Sequence, residues 1–138
     1  MMDKPRVPHW EQILARALTQ ARAQPFIWGQ NDCATWAFDL HRDLTCGLDH
    51  AALWRGRYST PIGCERLRRK LGWNTLEEGG RSLLGEPLAD PRLAQRGDLV
   101  LGGNPEAFGV VIGAKAAFVA PEGLVRVPLA TCRLAWRT

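Results

Sequence analysis

Residues 97–127 of the chain read GDLVLGGNPEAFGVVIGAKAAFVAPEGLVRV. Four short runs rich in valine, leucine, isoleucine and phenylalanine are separated by GGNP, GAK and PEG. Short apolar runs bounded by glycine and proline turns are typical of strands joined by tight connections. The stretch therefore predicts an antiparallel meander with strands at 99–101, 108–112, 116–120 and 124–127.

The sequence before this meander has the periodicity of helices. Apolar residues recur at three- and four-residue intervals over residues 10–21, which predicts an amphipathic helix that is ended by Pro25. A second helix is expected to begin near Cys33, because Asn31 or Asp32 can cap it by accepting hydrogen bonds from its first free N–H groups. Cys33 would then lie in the first turn of that helix.

The remaining N-terminal elements follow from helix signals and breakers. Gly47 lies where a left-handed residue commonly ends a helix, so we expect it to terminate the second one. A basic third helix is predicted from Pro61 to Leu71, and residues 74–96 are expected to hold short mixed elements. Helices that precede strands without alternation predict a segregated α+β fold, with N-terminal helices packed on a C-terminal antiparallel sheet. We interpret residues 1–138 as one domain.

Composition and charge exclude several classes of protein. The chain has 138 residues, 46% of them hydrophobic, and a net charge of +4, which is typical of a packed globule and not of a disordered chain. It has neither an apolar run long enough to span a membrane nor a recognisable secretory leader, so we expect no membrane insertion. The basic cluster at residues 66–70 is interpreted as a solvated helix face, and nucleic-acid binding is not expected.

The cysteines have no metal-site spacing. They are not arranged in C-x-x-C pairs and have no nearby histidine pair, so we expect four free thiols, no metal and no cofactor. The four positions are Cys33, Cys46, Cys64 and Cys132.

Cys33 is the one candidate for chemistry. A thiol at a helix N-terminus can have its pKa lowered, because free N–H groups and the aligned peptide dipoles favour the thiolate. The neighbouring Asp32 acts in the opposite direction, so activation would need a basic partner. The alternative is that Cys33 is a small buried residue on the inner face of the helix. Asp98, before the first strand, is interpreted as a residue that pins a turn.

Four short motifs occur in a recognisable order along the chain. They are WG at 28–29, DC at 32–33, RGDLV at 96–100 and GVVIG at 109–113. In that order they resemble the NlpC family of papain-like cell-wall cysteine peptidases. With WRGRY at 54–58 and AWR at 135–137, the chain is more similar to small phage and prophage proteins encoded among tail genes.

The resemblance implies a papain-like domain whose catalytic set is degenerate. Cys33 falls at the nucleophile, but Ala107 falls where the family has its general-base histidine, and Ala120 falls near the polar residue that orients it. Trp28, Asp32 and Phe108 would line the binding groove. His41 lies too far along the same helix to serve as a base, and His50 is the one histidine that could be recruited.

These features leave three hypotheses for function. The first is an inactive structural component of a phage tail tip or hub, made in the host cytoplasm, carried in the virion and contacting other tail proteins. The second is an active cell-wall peptidase or amidase that assists DNA entry, with Cys33 as nucleophile. The third is a module that binds host peptidoglycan or a peptide without cleaving it.

Overall fold

The structure is a computed structural model, and it describes residues 6–138. Four α-helices precede a five-stranded sheet along the chain. The helices are α1 (Trp10–Ala23), α2 (Cys33–Thr45), α3 (Pro61–Lys70) and α4 (Leu76–Leu84). The strands are β1 (Leu99–Gly102), β2 (Ala107–Val111), β3 (Lys115–Ala120), β4 (Gly123–Pro128) and β5 (Leu134–Trp136). Short 3-10 turns cover His50–Leu53, Pro91–Leu93 and Leu129–Thr131.

The sheet confirms the predicted α+β order and the antiparallel meander. Its strand order is β4-β3-β2-β1-β5, and every neighbouring pair is antiparallel. The fifth strand was not predicted, since three residues are too few to show a pattern. β5 pairs with the side of β1 that faces away from β2, and Trp136 lies opposite Leu99. β5 is therefore an edge strand of the sheet.

The ends of α2 differ slightly from expectation. Asp32, not Asn31, is the N-cap, and the helix begins at Cys33 as predicted. The left-handed residue at its other end is Cys46, with φ of 51°, so the assignment of this role to Gly47 was wrong. Residues 74–96, expected to be mixed, contain α4, whose N-cap Thr75 accepts a hydrogen bond from the Glu78 N–H.

Apolar side chains cover both faces of the sheet. On one face, Phe38 and Leu44 of α2 belong to the same core cluster as Leu101, Val110 and Trp136. On the other face, a second cluster joins strand residues to the 3-10 turn before β5; its buried members are Val100, Val111, Ala116, Phe118, Leu129, Cys132 and Ala135. Since α2 packs directly on β2, the N-terminal end of the helix lies close to the strand that carries Phe108.

Candidate functional site

The start of α2 is organised around the carboxylate of Asp32. Its Oδ1 accepts a hydrogen bond from the Thr35 N–H at 2.9 Å, and its Oδ2 accepts one from the Gly29 N–H at 2.8 Å. The Tyr58 hydroxyl donates a third hydrogen bond, also to Oδ2. Asp32 is only 1% exposed, so it caps a helix inside the protein. The expectation that it lines an open groove was wrong.

The WRGRY segment at 54–58 closes over this helix start. The Gly56 N–H donates to the Gly29 carbonyl at 2.8 Å, and the Trp54 indole N–H donates to the Thr35 hydroxyl at 3.2 Å. Gly29 has φ of +82°, and a Cβ placed there would lie 2.1 Å from the Tyr58 carbonyl oxygen. Only glycine fits this contact, because any side chain would overlap the backbone of residue 58.

The thiol of Cys33 is set up to remain protonated. Burial, followed by the negative charge of Asp32, raises its pKa to about 12. Hydrogen bonds from the backbone of Phe108 and Ala34 lower the pKa, but they are smaller effects. Desolvation therefore outweighs the helix N-terminus, which by itself would favour the thiolate.

The polar groups around the thiol offer no efficient base. Burial, followed by the hydrogen bond to Asp32, raises the pKa of Tyr58 above its usual range, so the phenol holds its proton. Burial likewise raises the pKa of Cys64, although its hydrogen bond with Tyr58 acts in the opposite direction. The Asp32 carboxylate already accepts three hydrogen bonds, from Thr35, Gly29 and Tyr58.

The two alanines at the expected catalytic positions lie on the other side of the sheet from α2. Ala107 packs with the second core cluster, which includes Val111 and Phe118. The β2–β3 register pairs Val111 with Ala116, and its continuation places Ala120 opposite Ala107. A histidine at position 107 would therefore lie on the face of the sheet away from α2.

Phe108 is the strand residue that faces α2. It is only 4% exposed and makes an edge-to-face contact with Phe38, with ring centroids 5.2 Å apart. Its expected place in an open groove was therefore wrong. Trp28 is partly exposed, and its ring contacts the ring of Phe26 edge to face, with centroids 4.8 Å apart. Of the three residues expected to line a groove, it is the one that could form an aromatic wall.

Two histidines, His41 and His50, lie near the C-terminal half of α2. The ring of His50 stacks on the ring of His41, with centroids 5.8 Å apart and planes 3° from parallel, and it also contacts Phe38. His41 follows Cys33 by eight residues, or about 12 Å along the helix axis. His50 therefore lies beside the C-terminal half of α2, whereas Cys33 is at the N-terminal end. The structure does not support the recruitment of His50 as a base.

A small apolar cavity lies beside Cys33 under α3 and α4. Its volume is about 50 Å³, and its walls include Tyr58, Cys64, Trp73 and Phe108. Within residues 6–138, no cluster of three or more potential metal ligands occurs, and no helix is long and apolar enough to cross a membrane. Most of its lining is apolar, and Cys33 is not among the residues that line it.

Comparison with known families identifies the domain. The model of a domain of unknown function, DUF6950, matches residues 5–138, which is nearly the whole chain. The chain belongs to the DUF6950 family. No curated protein and no solved structure matches this DUF6950 domain.

The buried phenol of this DUF6950 domain allows a direct check of the site. Tyr58 is the only tyrosine in the chain, so tyrosinate absorbance reports on it alone. We expect no ionisation of the native protein around pH 10, where a free phenol titrates, because burial and Asp32 raise the pKa of Tyr58.

The denatured chain supplies the matched control for this titration. In concentrated urea the same tyrosine should ionise around pH 10. Because the folded protein holds this proton more tightly than the unfolded chain, the contribution of Tyr58 to stability should be constant below about pH 10 and should fall as the pH rises further. Equal titration curves for native and denatured protein would contradict the buried Tyr58–Asp32 hydrogen bond.

Proposed function

We propose that this domain is a structural component of a phage or phage-like tail tip or hub, built on a degenerate NlpC-type, papain-like scaffold without hydrolytic activity. The observation that carries the proposal is the state of Cys33. Its thiol lies at the first residue of α2, yet burial and Asp32 raise its pKa to about 12. A nucleophilic cysteine needs the opposite shift or an adjacent base.

Two features of the fold support the papain-like part of the proposal. A cysteine begins a helix that packs on the strands of a C-terminal antiparallel sheet, which is the arrangement that the NlpC resemblance implies. The resembling motifs WG, DC and WRGRY also meet in space, since Gly29, Asp32 and Tyr58 contact one another. Their contacts cover the N-cap of α2.

The absence of a catalytic set supports a structural role in preference to hydrolysis. Removal of the base from a nucleophile–base pair typically costs several orders of magnitude in rate. In this chain the side chain of Phe108 faces α2, and the histidines lie at the other end of the helix. The resemblance to tail-cluster proteins then favours other tail proteins as partners and the virion as location.

A Cys33→Ala substitution in the phage or prophage that encodes the chain tests this proposal. We expect normal particle assembly and normal infectivity, because the thiol does no chemistry. Purified wild-type protein should release no peptides from peptidoglycan. An Asp32→Ala variant is the matched control, since it removes the cap beside the thiol and should impair folding and assembly.

Three results would overturn the proposal. Peptide release by the wild type that is lost in Cys33→Ala would identify a peptidase. Loss of infectivity in Cys33→Ala particles that assemble normally would show that the thiol acts after assembly. Particles that assemble and infect normally without the protein would refute a required tail role.

A further inference from the structure

The two edges of the sheet differ in what covers them. The strand order makes β4 and β5 the edge strands. At the β5 edge, the Leu88 N–H donates to the Ala135 carbonyl at 2.8 Å, and the Trp136 indole donates to the Gly85 carbonyl at 2.9 Å. The segment between α4 and β1 therefore covers the β5 edge. β4 is six residues long, and within residues 6–138 no strand pairs with its outer side.

The ladder between β3 and β4 shows which backbone groups of β4 point outward. Lys115 of β3 lies opposite Pro128 of β4. Just outside this pair, the Leu129 N–H donates to the Ala114 carbonyl at 2.8 Å, which marks Lys115 and Pro128 as a non-hydrogen-bonded pair. Such pairs alternate with hydrogen-bonded pairs along an antiparallel ladder. Every second residue of β4, counted back from Pro128, therefore directs its N–H and C=O groups away from β3.

The outward groups belong to Arg126 and Leu124. These two residues lie opposite Ala117 and Val119 of β3. None of the hydrogen bonds formed among residues 6–138 reaches their outward N–H and C=O groups. Arg126 is exposed, and Leu124 is half-buried because its side chain packs against the first core cluster. β4 thus has two donors and two acceptors in a row on its outer side, which is a template for a further strand.

We propose that β4 pairs antiparallel with β4 of a second copy of the chain, so that the two sheets continue across a two-fold axis. In this register Val125 lies opposite Val125 of the second copy, and Leu124 lies opposite Arg126. Both Leu124–Arg126 pairs are then hydrogen-bonded pairs, and each exchanges two N–H···O=C bonds. The two copies use the same surface, which is the geometry of a closed two-fold dimer.

Side chains and backbone select this register. Centring the pair on Arg126 would place two like charges directly opposite each other and would bring Pro128, which has no N–H, against Leu124. Centring it on Leu124 would bring Glu122 against Arg126, but Glu122 lies in the turn before β4 and not in the strand. With Val125 at the centre, each outward donor meets an acceptor and the stem of Arg126 lies beside Leu124. β4 is therefore complementary to itself, and this favours a second copy as the occupant.

Sedimentation velocity with the full-length protein tests the pairing. The interface is confined to one strand and its neighbouring side chains, so we expect a dimer that forms between about 5 and 500 µM and dissociates on dilution. Arg126→Pro removes one outward N–H from each copy, and proline is tolerated on an edge strand where the N–H faces outward. We expect it to weaken dimerisation by at least about tenfold. Arg126→Gln is the matched control, since it removes the same charge but keeps the N–H, and it should dimerise at least as tightly as the wild type.

Disulfide trapping tests the register independently of these variants. It uses a Cys46→Ser background, because Cys46 is an exposed native thiol. Val125→Cys would place the two thiols opposite each other with Cα atoms about 4.5 Å apart, which a disulfide can bridge. Val127→Cys is the matched control on the same face of β4, but its two copies would lie about 13 Å apart along the strands. With oxidised glutathione, Val125→Cys should form the cross-linked dimer at least about tenfold faster than Val127→Cys.

Three results would contradict this pairing. A wild-type protein that stays monomeric over the whole concentration range would overturn it, and that result includes the case in which β4 receives a strand from a different protein. Equal cross-linking at positions 125 and 127 would overturn it, as would a dimer that Arg126→Pro leaves unchanged. The inference is independent of the tail role, because every measurement uses the isolated protein.

Discussion

Iodoacetamide is expected to alkylate Cys33 of the native protein at least about thirtyfold more slowly than an ordinary exposed thiol near neutral pH. The rise in pKa from 9.0 to about 12 spans three pH units, which reduces the thiolate fraction about a thousandfold. A more basic thiolate is a better nucleophile, and this recovers a factor of about 20 to 30.

Cys46 provides the internal control for this measurement. It is exposed at the end of α2, so its alkylation reports the ordinary rate in the same sample. Peptide-resolved mass spectrometry over time should show Cys46 modified first, and concentrated denaturant should equalise the two rates. Modification of Cys33 ahead of Cys46 at about pH 6 would indicate an activated thiolate and would contradict the inactive assignment.

Local sequence signals predicted most of the elements but not the faces of the strands. The position of Cys33 at a helix start and the four meander strands followed from caps, periodicity and turns. The orientation of β2 did not, because AFGVV is apolar at almost every position and both faces of the sheet are buried. A shift of one residue exchanges the faces of a strand, so no alternation indicated that Phe108 faces α2 and Ala107 does not.

Contacts between distant residues were also beyond the sequence pattern. Tyr58 donates to Asp32 across 26 positions, and His50 stacks on His41 although they belong to separate elements. Such contacts depend on how elements pack, which periodicity does not encode. The WRGRY motif was identified through a family resemblance, which did not indicate what it contacts. The hydrogen bonds of Gly56, Trp54 and Tyr58 show that it covers the start of α2.

Asp98 also makes contacts with distant residues that the sequence pattern did not predict, and these contacts matter more for the stability of the fold. The turn interpretation is confirmed, since the Asp98 N–H donates to the Gln95 carbonyl at 2.9 Å and its side chain accepts from the Gln95 N–H. The structure adds that the same carboxylate joins three separated parts of the chain. Oδ1 accepts from Arg6 at 2.9 Å and from the Thr138 N–H at 3.2 Å, while Oδ2 faces Arg137.

An Asp98→Asn substitution is therefore expected to destabilise the fold by about 3–5 kcal/mol, which is the range for breaking a buried ion pair by removing one partner. Both carboxylate oxygens face donors, so either orientation of the amide would place its NH₂ group against another N–H. Urea denaturation should show the loss as a lower midpoint with an unchanged slope.

Asp43→Asn is the matched control, because it makes the same chemical change at an exposed ion pair with Arg42 at 3.1 Å. An exposed pair of this kind contributes less than about 1 kcal/mol, so this variant should unfold close to the wild type. Similar midpoints for the two variants would show that Asp98 does not join the chain ends in solution. A large loss confined to Asp98→Asn would instead show that the carboxylate within the RGDLV motif holds Arg6, Gln95 and Thr138 together.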